Sequence, residues 1–235
     1  EGAQVTFEDL WVKVGGDYTT LTLWNESAIT CKQVYFEITT PTNSEFFIYM
    51  DTHSKMTLDG VGMKVPEKHQ SVIGMSASEL SIQNSTIFSK IDLSEGSKLT
   101  LENVHIEKFG NNTIHAKDSE VIAKNSTITG GDLEKDFPPV WLRNVIWESE
   151  NCKIELPTGT GICLDNNVQF NSDSDRITSL NAFNSMIRAH QATFSEFLCV
   201  YEESFASLTG ETTFLNENAQ TISFGVFDDG VLMAE

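Results

Sequence analysis

Apolar and polar positions alternate along this chain in short runs that close on asparagine. Leu80-Ser-Ile82-Gln-Asn84-Ser-Thr-Ile87 returns as Leu99-Thr-Leu101-Glu-Asn103-Val-His-Ile106. It returns again as Val121-Ile-Ala123-Lys-Asn125-Ser-Thr-Ile128 and as Val140-Trp-Leu142-Arg-Asn144-Val-Ile-Trp147. The template reads apolar, any, apolar, any, Asn, any, any, apolar. Two apolar residues flanking one polar residue have the period of a strand, with one side facing a core. Recurrence near every 20 residues is the signature of a solenoid, in which neighbouring coils bury what no coil could bury alone.

The phrase extends outward with losses. Val5-Thr-Phe7, Leu21-Thr-Leu23 and Met56-Thr-Leu58 precede the clear repeats, and Ile162-Cys-Leu164, Leu180-Asn-Ala182 and Ala206-Ser-Leu208 follow them. Between first apolar slots the steps are 16, 35, 24, 19, 22, 19, 22, 18 and 26 residues. The step of 35 predicts an enlarged coil over 30–50 or a misplaced register. Strands this short gain a full hydrogen-bond ladder only when stacked on copies above and below. At roughly 4.8 Å per rung, about ten or eleven rungs predict a rod on the order of 50 Å long.

The recurrent Asn marks the corner where one short strand gives way to the next. Asn tolerates the left-handed region better than other residues with a side chain. Asp9, Gly60 and Gly210 fill the slot elsewhere, as that backbone requirement predicts. The expectation is a single ladder of Asn25, Asn84, Asn103, Asn125, Asn144, Asn166 and Asn184 at one turn. Short strands joined at an Asn-bearing turn resemble the right-handed parallel β-helix superfamily of pectate-lyase-like enzymes, phage tailspikes and autotransporter passenger domains. The resemblance implies an all-β fold and one β-helix domain over 1–235. Polymorphic surface proteins of the autotransporter kind carry FxxN and GGA[ILV] tetrapeptides. Phe109-Gly-Asn-Asn112 matches the first once, and Gly130-Gly-Asp-Leu133 matches the second in part.

Composition narrows the function classes. The formal net charge is −19, which argues against a nucleic-acid backbone as partner because counterion release needs Lys and Arg. Arg188 is the last basic residue, while acids continue to Asp228 and Asp229. No apolar run is long enough for a membrane span, and no signal peptide is evident. The chain starts without Met and ends just after Val231-Leu-Met233, so it reads as a processed or truncated fragment of a longer protein, or as a solenoid whose end cap is built from irregular segments. Cys31, Cys152, Cys163 and Cys199 form no CxxC pair, so no zinc site is signalled. Alternation points Cys152 inward and Cys163 outward, which disfavours a bridge between them and predicts free thiols.

Candidate chemistry is sparse. Glycoside hydrolysis needs two carboxyl groups flanking the bond. The candidates are Asp173 and Asp175 in Asn-Ser-Asp-Ser-Asp, and the pair Asp228-Asp229. Asp228-Asp229-Gly230 resembles part of the polygalacturonase signature, but its Asn-Thr-Asp, Gly-His-Gly and Arg-Ile-Lys companions are missing. No HExxH, GxSxG or P-loop occurs, and neither a cofactor nor a metal is implied. Sequons begin at Asn25, Asn84, Asn111 and Asn125, three of them on ladder positions. Trp141 breaks an outward row of Thr and Ser and is the one candidate for ligand contact. The leading expectation is a noncatalytic, extracellular or surface-exposed scaffold that binds a protein or glycan ligand on a host or cell surface. A polysaccharide-active lyase or hydrolase is second, and an acidic rod that occludes a basic protein is third. Function is expected where the phrase fails: at 30–50, at 130–139 and beyond Arg188.

Overall fold

The computed structural model describes residues 2–15, 21–39, 47–64, 72–108, 113–130, 138–157, 161–215 and 224–234. Among them every strand pairs with its neighbours in parallel, and no helix occurs. The chain is a parallel β-solenoid with three faces, consistent with the right-handed parallel β-helix.

Face I stacks eleven segments, from Gln4–Glu8, Ala28–Lys32 and Lys55–Asp59 up to Phe205–Thr209 and Val231–Ala234. Face II begins with Trp11–Val14 and Tyr35–Ile38, and face III with Leu21–Leu23 and Ile48–Met50. Two long strands, Ile114–Lys124 and Val140–Glu150, run through a corner and serve both face III and face I.

The core fills the space between the faces. On face I, Met56, Leu80, Leu99, Val121, Trp147, Phe170 and Ile187 stack in one inward row. All are essentially unexposed. Each fully buried side chain of this size contributes roughly 1.5–3 kcal/mol. Trp147 and Phe170 stack ring on ring at 5.7 Å.

The asparagine ladder is present but divided between two corners. Asp9, Gln33, Gly60, Asn84, Asn103, Asn125, Asn151, Ser174, Gln191 and Gly210 turn the chain from face I to face II, each with φ between 48° and 68°. In all but the last, the backbone N–H donates to the carbonyl before the corner one coil further on, as from Asn84 to Glu102 and from Asn103 to Lys124. Asn25, Asn144, Asn166 and Asn184 instead turn face III into face I, in one column with Ala77, Asp118 and Glu202. Asn144 therefore stacks over Asp118, not over Asn125, and the expectation of one ladder at one turn is corrected. The two corners demand the same left-handed residue after the same apolar-x-apolar-x run, so the template cannot separate them. The step of 35 dissolves for the same reason, because Leu21 lies on face III and Met56 on face I. The missing face I phrase is Ile29-Thr-Cys31.

The ladder side chains are linked along the axis. Asn103 donates from Nδ2 to Asn84 Oδ1 (3.3 Å), Asn151 to Asn125 (2.7 Å) and Asn184 to Asn166 (3.3 Å). These asparagines lie at the surface, apart from the half-buried Asn166.

A second, unforeseen column is buried beside the corner leading into face I. Ser54, Ser78, Ser97, Ser119, Ser185 and Ser204 follow the left-handed residues and point inward, all below 8% exposure. Ser185 shows the logic. Its Oγ donates to Phe183 O (2.7 Å) and accepts the N–H of Val168 one coil below (3.3 Å). At the other corner Ser85 and Ser126 do the same for Val61 and Val104. The Asn-Ser-Thr sequons at Asn84 and Asn125 are thus corner grammar: Asn takes the turn, Ser caps a buried N–H, and Thr enters the next strand. The Asn111 sequon and the stretches 40–46 and 131–137 lie outside the described residues.

Candidate functional site

Three places hold side chains with chemistry. The first is the outer surface of face I in its C-terminal half. Register aligns three outward rows there. Ile146, Gln169, Met186, Phe205 and Val231 form a mainly apolar row. Beside it run Glu148, Asn171, Arg188 and Ser207, then Glu150, Asp173, His190 and Thr209. The two polar rows line an open trough of about 310 Å³. His190 Nδ1 lies 2.9 Å from Thr209 Oγ1. Arg188 forms no ion pair among the described residues, whereas Lys55, Lys98 and Lys124 on the same face are each neutralised by Glu79, Glu120 and Glu150.

Beneath this trough lies a buried carboxylate. Asp175 is 2% exposed and occupies the inward corner row otherwise filled by Val104, Ser126, Cys152 and Ala192. Its Oδ1 accepts the N–H of Cys152 (2.7 Å), and its Oδ2 accepts the hydroxyls of Ser149 (2.5 Å) and Ser172 (2.7 Å). Trp147 Nε1–H donates in turn to Ser149 Oγ (2.9 Å). Burial pushes the Asp175 carboxyl above its ordinary range, partly offset by those three donors. Asp173 is exposed on the outside of the same coil. The two carboxylates proposed as a pair therefore lie on opposite sides of the wall and cannot flank one bond. Asp228 and Asp229 form the last described turn from face III to face I, both left-handed, and are far up the stack from Asp173.

The third place is the outward row of face III, where Asp92, His115, Trp141 and Cys163 succeed one another coil by coil. His115 Nδ1 lies 2.6 Å from Asp92 Oδ1, and Lys90 Nζ 3.0 Å from Asp92 Oδ2. Burial works to raise the Asp92 carboxyl, but the hydrogen bonds from His115 and Lys90 outweigh it and hold the group below its ordinary value. The Trp141 ring stacks on His115 at 4.6 Å and 3°, so its plane lies across the rod axis. One ring face is taken by His115, and Cys163 occupies the register position above the other. The ring edge is left for the ligand contact expected of Trp141.

All four cysteines are free. Burial pushes the thiols of Cys31, Cys152 and Cys163 up to about 11, so they stay protonated and unreactive at neutral pH. No three His, Cys, Asp or Glu side chains gather as a metal site among the described residues. Sequence reasoning found Asp173 and missed Glu148, Arg188 and His190. The available signal was the register of face I, which the repeat template lost at Trp147 and Phe170, where Ser149 and Ser172 replace its second apolar slot. A scan against models of protein families finds no match, and a comparison with curated proteins finds none either.

Proposed function

We propose that this protein is a noncatalytic β-solenoid scaffold that binds a protein or glycan at a cell surface or outside the cell, through the trough on face I. The observation that carries the reading is Arg188, a cation without an ion pair among the described residues in a chain of net charge −19, set between a polar row and an apolar row. A guanidinium presents a planar fork of donors suited to carboxylate or hydroxyl-rich ligands. The rigid stack holds neighbouring coils about 4.8 Å apart, so little side-chain order must be gained on binding.

The test is binding of the intact protein to a glycan array and to extracted cell-surface proteins, with Arg188→Ala and Thr100→Ala compared. A loss of at least about tenfold for Arg188→Ala, with Thr100→Ala unchanged, supports the reading; one hydrogen bond to a charged group is worth that much. Equal binding by both variants overturns it.

One observation favours a polysaccharide-cleaving alternative. Glu148 and Asp173 both face outward, one coil and two strand positions apart, which sets their Cα atoms about 8 Å apart by strand and rung spacing. Reducing-sugar release abolished by Glu148→Gln or Asp173→Asn would replace the scaffold reading.

A further inference from the structure

Corners between face III and face I come in two lengths. Asp165 and Gln169 are joined by Asn166-Asn167-Val168, and Tyr201 and Phe205 by Glu202-Glu203-Ser204. On the coil between them, Phe183 and Met186 are joined by Asn184-Ser185 alone. That middle corner is one residue shorter, so the wall is recessed between two projecting lips. The result is a notch of about 210 Å³, two rungs or roughly 10 Å tall. Asn184 and Met186 lie on its floor, Asn167 on one lip, and Glu203 with Phe205 on the other. The floor is fixed by hydrogen bonds: Val168 N–H donates to Ser185 Oγ (3.3 Å), and Ser185 N–H to Ser204 Oγ (3.1 Å). Every coil that lines the notch has a paired coil above it and below it.

We propose that this notch receives a lysine side chain of a partner protein. The half-buried Met186 and Phe205 offer it an apolar wall, while the exposed Asn167, Asn184 and Glu203 surround that wall with oxygen acceptors. Asn184 donates from Nδ2 to Asn166 Oδ1 (3.3 Å), which leaves its own Oδ1 to accept. A lysine matches both parts. Its methylene stem packs along apolar surface, and its ammonium carries three donors and no acceptor. The Phe205 ring adds attraction for a cation placed over its face. Charge agrees with this occupant. Neither Glu202 nor Glu203 forms an ion pair among the described residues. No Lys or Arg follows Arg188 in the chain, and Arg188 lines the trough rather than the notch. The net charge of −19 draws a cationic segment toward the surface before contact. The notch is separate from the trough on face I and takes a ligand of opposite charge, so either one can fail without the other.

Titration of the intact, isotopically labelled protein with a blocked peptide carrying one lysine tests this, read as backbone amide shifts at physiological salt. The amides of Asn184, Met186 and Glu203 are expected to shift and to saturate at millimolar peptide. The same peptide with norleucine in place of lysine is expected to leave them where they are. Glu203→Gln is expected to weaken binding about tenfold and Phe205→Leu about threefold. Glu79→Gln, which alters an exposed acid elsewhere on face I, is expected to change nothing, and a retained melting temperature shows that each variant is folded. Shifts that do not saturate overturn the proposal. So does an equal response to the norleucine peptide, or equal weakening by Glu79→Gln and Glu203→Gln.

Discussion

Asp175 Oδ1 accepts the backbone N–H of Cys152 at 2.7 Å, one coil below it. The same bond is made to Val104 by Ser126 and to Val61 by Ser85. The solenoid closes its buried corner N–H groups with whatever short oxygen-bearing side chain occupies this row, and at one coil that side chain is a carboxylate. Two core serines, Ser149 and Ser172, replace apolar residues to supply it with donors.

Asp175→Val should therefore strip partners from the Cys152 amide and from two hydroxyls at once. A loss of about 2–4 kcal/mol is expected in urea unfolding. Asp175→Ser, which restores the cap used elsewhere in the row, should lose markedly less.

The elevated Asp175 pKa has a defined sign. The folded state holds the proton more tightly than the unfolded state, so this group's contribution to stability is full below the ordinary aspartate value. It is lost as pH rises through the folded value. The difference in urea midpoint between the parent chain and Asp175→Asn should change across that interval and be flat above it. Asp92 acts oppositely: its lowered pKa gives a contribution present at neutral pH and lost on acidification.

Ser185 Oγ links Phe183 O and the N–H of Val168. In Ser185→Ala the Val168 amide loses the one partner it has among the described residues, at a cost of about 1–3 kcal/mol. Hydrogen exchange read residue by residue should show lost protection at Val168 with little change at distant coils, since coils couple chiefly to their neighbours.

Asn103 sits at φ 55°. Asn103→Val puts a β-branched side chain in the left-handed region and should cost about 1–2 kcal/mol, whereas Asn103→Gly should be nearly neutral. Thermal melts of the two variants separate backbone geometry from the side-chain bond to Asn84.

Cys31, Cys152 and Cys163, with thiols pushed up to about 11, should resist an aromatic disulfide reagent at pH 8 in the native state and react on unfolding. Rapid native labelling of Cys152 would show that its corner opens.

The architecture was legible in residues such as Leu80, Ile82 and Asn84, because strand alternation and left-handed tolerance are local properties of the chain. The serine caps became readable only once the corners were placed: Ser directly follows the left-handed residue in Asn184-Ser and Asp118-Ser. The site was scarcely legible. Glu148, Asp173 and Arg188 are remote in sequence and share no motif; only stacking sets them in adjacent rows.

Local periodicity by itself determined that this chain coils into short parallel strands with left-handed corners. Tertiary structure alone decided which coil lies over which. Successive residues at the face I to face II corner are separated by as few as 17 positions, from Ser174 to Gln191, and as many as 27, from Gln33 to Gly60. With two corners demanding the same backbone conformation, spacing cannot assign Asn144 to one or the other. The physical arbiter is the continuous ladder of hydrogen bonds between coils, which pairs Asn144 with Asp118 and, by the same register, sets Asp175 inside the wall and Asp173 outside it.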